Sequence, residues 1–250
     1  ESFDLIRACL RYSELSEGSF DITVGPLMKV WGFYKGSGRL PHRSEVRVAL
    51  SRIGYRKVRL DEQSQTVRFE REGMDIDPGG IGKGYAVDRA MTILREYGID
   101  TALISAARST IAAMGAPPKS DGWKVEIRDP RSSSAPASQT VVLRNESMST
   151  SGNYEKFFQA GGRLYSHIMD PRTGYPAQGM LAVSVIAPRA IDSEAWTKPA
   201  YILGRDWAQS HLPKGFRAFL CEDKQGDKLS AVRGPFQTAE GDKNSCAWLQ

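Results

Sequence analysis

Asp77-Pro78-Gly79-Gly80-Ile81-Gly82-Lys83-Gly84-Tyr85-Ala86-Val87-Asp88 reads as a strand running into a glycine-rich turn that opens a helix. The glycines at 79, 80, 82 and 84 remove side chains that would hold a ligand away from the backbone. The helix that follows points its first N–H groups, and the positive end of its dipole, at whatever docks in the turn. Lys83 adds a full positive charge there. The expectation is an anion site, of phosphate class. Neither G-x-x-x-x-G-K-S/T nor G-x-G-x-x-G can be read in the stretch. A tight strand-to-helix turn that binds nothing would use the same glycines.

Upstream, residues 74–77 are the expected entering strand, and residues 57–61 and 66–70 alternate as a hairpin does. Apolar Phe3, Leu5, Ile6, Leu10 and Leu15 recur at helical spacing. The chain thus opens inside a helical pattern, which suggests that a preceding segment is missing. Gly25-Pro26 starts a helix with Leu27, Val30 and Trp31 on one face. Residues 35–43 read as a surface loop, and Ser44 is placed to cap a helix through Ile53.

Downstream, residues 83–97 carry a broad apolar stripe ended by Gly98. Short strands are expected at 101–105 and 111–114, either side of Ala107-Arg108-Ser109, and again at 123–127. A Ser-, Pro- and Ala-rich connection over 130–138 leads to 140–143, which is expected to resume the sheet. Residues 148–151 lead through Gly152 into Asn153-Tyr154, residues 164–169 precede a turn-rich loop over 170–176, and residues 181–187 read as a buried strand. A helix from about Ser193 meets Pro199, which should kink or split it. Residues 217–221 and 228–232 form the expected last strand pair. Strands intermixed with a few helices, without a repeat, favour an α+β architecture. The expected organisation is one domain over residues 1–233 and a loosely held tail over 234–250.

The 250 residues include 34 basic and 29 acidic side chains, a net charge of +5 with no block of one sign. That argues against a nucleic-acid surface and allows anionic small ligands. The longest apolar runs are too short to span a bilayer, and no signal-peptide pattern is visible at the start. Cys9, Cys221 and Cys246 show no C-x-x-C, and the histidines at 42, 167 and 211 are scattered, so a His/Cys zinc site is not expected. A Cys221–Cys246 bridge and free thiols both remain open.

Polar and small residues gather at strand ends over 77–84, 105–110 and 147–153, and a fourth stretch, 165–176, holds His167 near Asp170. Ser149-Thr150-Ser151-Gly152 offers hydroxyls and N–H groups suited to phosphate; a hydroxyl-capped turn is the plain alternative. His167 has the pKa range of a base or donor at a phosphate, or a purely structural role. G-x-S-x-G is absent, so no nucleophile elbow is read.

Four blocks, in order, carry a resemblance over about residues 3–205. They are Phe20-Asp21-Ile22-Thr23-Val24-Gly25-Pro26-Leu27 with Trp31-Gly32-Phe33; the 77–88 stretch; Thr150-Ser151-Gly152-Asn153-Tyr154; and Tyr165-Ser166-His167-Ile168-Met169-Asp170-Pro171-Arg172-Thr173-Gly174. Together they resemble the ApbE family, FAD:protein FMN transferases once called thiamine biosynthesis lipoproteins. The resemblance implies an α+β ApbE-like fold, with mixed sheets, packed helices and a flavin-nucleotide cleft. It implies transfer of FMN from FAD, with Mg2+, to a Thr or Ser hydroxyl of an acceptor protein, releasing AMP. Acceptors in the family include subunits of sodium-pumping quinone reductases and Rnf-type complexes. The implied location is periplasmic or membrane-associated after export.

Residue by residue, the resemblance makes His167 and Lys83 catalytic. It sets Gly79, Gly80, Gly82, Lys83, Ala107, Arg108, Thr150, Ser151, Gly152, Ser166, His167, Asp170 and Thr173 against the flavin nucleotide. The family's metal positions fall on Ala106, Glu194 and Lys198. Two departures stand out. Where the family has Asp and, four residues on, Thr, this chain has Glu194 and Lys198, and an ammonium cannot ligate a metal. Lys198 could pair with Glu194 at i,i+4 instead. Where the family has a Gly-Gly pair, Ala106-Ala107-Arg108-Ser109 sets a bulky cation beside the expected diphosphate. The readings are therefore an active Mg2+-dependent transferase with a modified metal site, or a non-catalytic FAD- or nucleotide-binding relative in which Lys198 and Arg108 replace the metal's charge. An interaction subunit with an empty cleft is disfavoured by Lys83 and His167.

Overall fold

The computed structural model describes residues 1–131, 136–223 and 246–249. Its helices are α1 (Ser2–Leu15), α2 (Gly25–Val30), α3 (Arg43–Ser51), α4 (Gly82–Glu96) and α5 (Ala190–His211). β1 (Val58–Asp61) and β2 (Thr66–Phe69) form the expected hairpin. β3 (Ala102–Ala106) and β4 (Thr110–Met114) follow α4, and β5 (Trp123–Ile127) and β6 (Gln139–Leu143) pair with each other. β7 (Glu146–Gly152) precedes two small ribbons, β8 (Phe157–Ala160) with β9 (Arg163–Ser166) and β10 (Met169–Asp170) with β11 (Tyr175–Pro176). β12 (Met180–Ala187), β13 (Arg217–Glu222) and β14 (Cys246–Trp248) complete the described strands.

One antiparallel sheet, in the order β14-β13-β12-β7-β4-β3, organises the molecule. β12 lies inside it and is apolar at nearly every position because both of its faces are covered. Val183 and Val185 point towards α5, into a cluster with Ala195, Ala200 and Tyr201. Ala182 and Ile186 point the other way, against Val125, Val141 and Leu143 of the β5–β6 ribbon. Val87 and Met91 of α4 pack on Ala112 and Met114 of β4. The result is an α+β body with helices on one face of the sheet and a ribbon on the other. Among the described residues no helix is long and apolar enough to cross a membrane.

Several local expectations are corrected. Residues 74–77 are extended but belong to no sheet; the Asp77 N–H donates to the Ile22 carbonyl (2.7 Å), which lies in a 3-10 turn and offers no strand edge. Ser44 is inside α3, whose start is closed instead by Glu45, accepting from the His42 N–H (2.8 Å). Residues 140–143 do not resume the main sheet, because β6 pairs with β5 in a ribbon of its own. α5 runs through Pro199 and breaks at Gly204 (φ 85°), where a left-handed residue costs glycine little. The expected strand at 228–232 lies outside the described residues. On the side away from β12, β13 pairs among the described residues with β14, formed by residues of the expected loose tail. Cys221 and Cys246 are cross-strand partners and form a disulfide, while Cys9 is a buried free thiol.

Candidate functional site

Asp77 sets the glycine-rich turn: its Oδ1 accepts the Gly79 N–H (2.7 Å) and its Oδ2 accepts the Tyr34 hydroxyl (3.0 Å). Residues 78–80 make one 3-10 turn and α4 begins at Gly82. The N-terminus of α4 is not fully open to a ligand, as the sequence suggested. Glu194, 1% exposed on the first turns of α5, accepts the Gly84 N–H through Oε2 (2.5 Å), and Lys83 Nζ lies 2.7 Å from Oε1. An internal carboxylate thus occupies part of the anion cradle. Gly84 makes this approach possible, since a methyl there would sit 2.7 Å from the Ala190 carbonyl carbon and 2.8 Å from Ile191 Cα. Asp88, at the end of the motif, accepts the Ala190 and Ile191 N–H groups (2.8 and 2.9 Å) and so caps α5 from α4.

Lys198 follows Glu194 by one helical turn. Its Nζ donates to the Glu194 carbonyl (3.1 Å) and to Thr197 Oγ1 (3.2 Å), so the side-chain ion pair expected between 194 and 198 is not formed; the carboxylate goes to Lys83. The Lys198 stem lies along the glycine turn, with Cε 3.3 Å from where a Gly80 methyl would stand. Burial pushes the Lys198 ammonium down to about 8, with Glu194 opposing and Lys83 adding to the shift.

His167 follows β9 and donates Nδ1–H to the Lys156 carbonyl (3.1 Å), since a carbonyl can only accept. That assigns the lone pair to Nε2. Burial pushes the ring down to about 4, the Lys156 carbonyl opposing and Lys198, Lys156 and Lys83 adding to the fall. At neutral pH the ring is uncharged and can accept a proton.

Ser149-Thr150-Ser151-Gly152 is not a turn but the end of β7. Ser149 bonds Ser193 (2.8 Å), Ser151 bonds Thr197 (2.8 Å), and Thr150 bonds Ser184 of β12 (2.8 Å). Two of these hydroxyls therefore form a seam between β7 and α5 that holds Glu194 and Lys198 in place.

These elements enclose a cleft of about 350 Å3. Gly79, Gly80, Lys83, Glu194, Lys198 and His167 line its polar part, with Thr150 and Ser151 at the floor. Phe20, Met28, Phe33, Tyr34 and Met169 line an apolar part. Other sequence candidates do not line it. Gly82 and Gly152 are not among its lining residues, and Ser166 is 1% exposed. Asp170 holds Arg172 (2.8 Å) and, with Thr173, shapes the turn whose Gly174 carbonyl accepts Trp31 Nε1–H (2.9 Å). Ala107 and Arg108 form the exposed tip of the β3–β4 hairpin, both at positive φ (51° and 61°), with the Ala106 carbonyl accepting the Ser109 N–H (3.2 Å). Asp88, Phe33, Tyr34 and Glu155, a carboxylate that lines the same cleft, were not singled out from sequence. Asp88 and Phe33 lay inside quoted motifs, yet only the fold shows what they touch.

The residues at the family's metal positions do not fit a divalent cation. Glu194 is the carboxylate of that set and is already engaged by Lys83 and the Gly84 N–H. Lys198 brings an ammonium, and among the described residues no three His, Cys, Asp or Glu side chains gather as a metal cluster.

The ApbE family model matches residues 1–220. An FAD:protein FMN transferase of Klebsiella pneumoniae (strain 342) is 31% identical over 205 residues, 81% of this chain and 62% of that relative. The chain therefore spans somewhat less than two thirds of that protein's length. Among solved structures, an ApbE protein of Thermotoga maritima superposes with a TM-score of 0.81 at 34% identity, covering 89% of this chain and 73% of that one. The apo flavinyl transferase ApbE of Pseudomonas stutzeri superposes with a TM-score of 0.76 at 27% identity, covering 88% and 69%.

Proposed function

The chain belongs to the ApbE family, and on that basis we propose that it is a flavin transferase that moves FMN from FAD to a Thr or Ser hydroxyl of an acceptor protein and releases AMP. The observation that carries the reading is the division of the cleft. Lys83 and Lys198 lie in a polar part suited to a diphosphate, Phe33 and Tyr34 in an apolar part suited to a flat ring, and neutral His167 lines the same wall.

In the proposed step the acceptor hydroxyl oxygen attacks the phosphorus of the FMN half. Its proton passes to His167 Nε2, and the bond from that phosphorus to the bridging oxygen breaks. The bridging oxygen leaves with AMP and keeps the electron pair. Lys83 and Lys198 offset the charge that gathers on the phosphate oxygens. The likeness to named FAD:protein FMN transferases supports this reading. The Cys221–Cys246 disulfide supports an oxidising, exported location.

A second reading, an FAD-holding relative without transferase activity, is favoured by one observation: Glu194 is already closed by Lys83. The two are separated by incubating the protein with FAD and an acceptor protein bearing a Thr/Ser flavinylation motif, in MgCl2 and in EDTA. In-gel flavin fluorescence and AMP are then measured. Transfer predicts a fluorescent acceptor with equimolar AMP, and His167→Asn slows it about 100-fold or more. FAD retained, with no AMP and no labelled acceptor, overturns transfer and leaves the second reading.

A further inference from the structure

We propose that Lys198 and Lys83 together form a metal-free site for the diphosphate of a dinucleotide, and that Glu194 is the internal counter-ion that neutralises Lys83 until the anion arrives and holds the start of α4. The assignment of that diphosphate to FAD rests on the function proposed above; the two-lysine site itself rests on geometry.

Glu194 Oε2 accepts the Gly84 N–H at 2.5 Å, and its buried Oε1 lies 2.7 Å from Lys83 Nζ as an ion pair but accepts no hydrogen bond among the described residues. A divalent cation would have to displace an ammonium to reach it. Lys198 is the opposite case. Its ammonium, in the same cleft, contacts neutral oxygens, the Glu194 carbonyl and Thr197 Oγ1. A partly buried cation without a carboxylate in contact is a strained arrangement that an arriving anion relieves. The Lys198 stem against Gly80 directs this charge to the turn that carries Lys83. Two ammonium groups beside exposed glycine backbone match two linked phosphates better than one. A metal is the usual way to neutralise such a group, and here fixed lysines supply the charge.

The test measures binding of FAD by flavin fluorescence, and of inorganic pyrophosphate by calorimetry, each in EDTA and in millimolar MgCl2. The expected result is affinity for both ligands that changes less than about twofold with Mg2+. Lys198→Met is expected to weaken both by about tenfold or more, as loss of a charge-assisted hydrogen bond does, while riboflavin, which has no phosphate, binds as before. Glu194→Gln keeps an acceptor for the Gly84 N–H and discriminates by sign. A metal ligand's loss weakens binding, whereas loss of the counter-ion of Lys83 leaves it unchanged or tighter. Binding that appears only with Mg2+, or that falls in Glu194→Gln, overturns the two-lysine site while leaving the flavin reading standing. Pyrophosphate binding in EDTA without any FAD binding overturns the flavin reading and keeps the site.

Discussion

At His167, burial and neighbouring charge act in one direction. Desolvation and three nearby lysines lower the ring from 6.5 to about 4, and the Lys156 carbonyl holds the Nδ1–H tautomer. In the unfolded chain the ring titrates near 6.5, so between about 6.5 and 4 the unfolded state binds a proton that the folded state does not. Stability therefore falls as pH drops through that window and is unaffected by this group above it. The full effect is at most about 3.5 kcal/mol, from about 1.4 kcal/mol per pH unit. Urea midpoints at pH 7.5, 6 and 5 should fall steeply in the wild type and less in His167→Gln; equal slopes would assign the acid sensitivity to another group. His167 was legible in the sequence as a candidate. Its charge state was not, because burial and the three lysines come from segments 84 or fewer residues away in the chain that only the fold assembles.

At the scale of elements, the glycine-rich stretch resolves into separate tasks. Gly84 sits where α4 crosses α5 at backbone contact, whereas the nearest atom to a Gly82 methyl is Pro78 Cβ at 3.9 Å. Gly84→Ala should cost about 2–3 kcal/mol through overpacking, while Gly82→Ala should be neutral or raise stability slightly through helix propensity. Denaturant midpoints of the two variants check this; equal loss at both positions would mean that the crossing of α4 and α5 does not depend on Gly84. The run of glycines was visible in the sequence, but not that one of them serves helix packing. The same limit applied in α5, where Pro199 was the visible breaker. Proline removes one N–H, and the turn around it is held by fully buried Ala200 and Tyr201, so the break falls at Gly204.

At the scale of the whole molecule, the sheet is closed on one edge by β14, tied to β13 through Cys221–Cys246 across 25 residues of chain. Opening that loop should cost about 3 kcal/mol by chain entropy, seen as a lower Tm in reductant. A Tm unchanged by reduction would show that β14 is held by its hydrogen bonds and by Trp248 against Phe219 alone. Cys9, 1% exposed with its thiol pushed up to about 12, should stay unlabelled by alkylating reagents in the native protein.

The amino-acid sequence by itself determined the α+β class, the β1–β2 hairpin, the amphipathic α4, the buried β12 and the four ordered blocks that carry the family. Each of these is written in local periodicity, turn chemistry or motif order. Only the tertiary structure decided that Glu194 closes on Lys83 and Gly84, that Lys198 lies against Gly80, and that Arg108 stays out of the cleft. Those contacts join residues about a hundred positions apart or more, or depend on the direction a hairpin tip takes. They follow from how closely two helices can approach, which no spacing along the chain records.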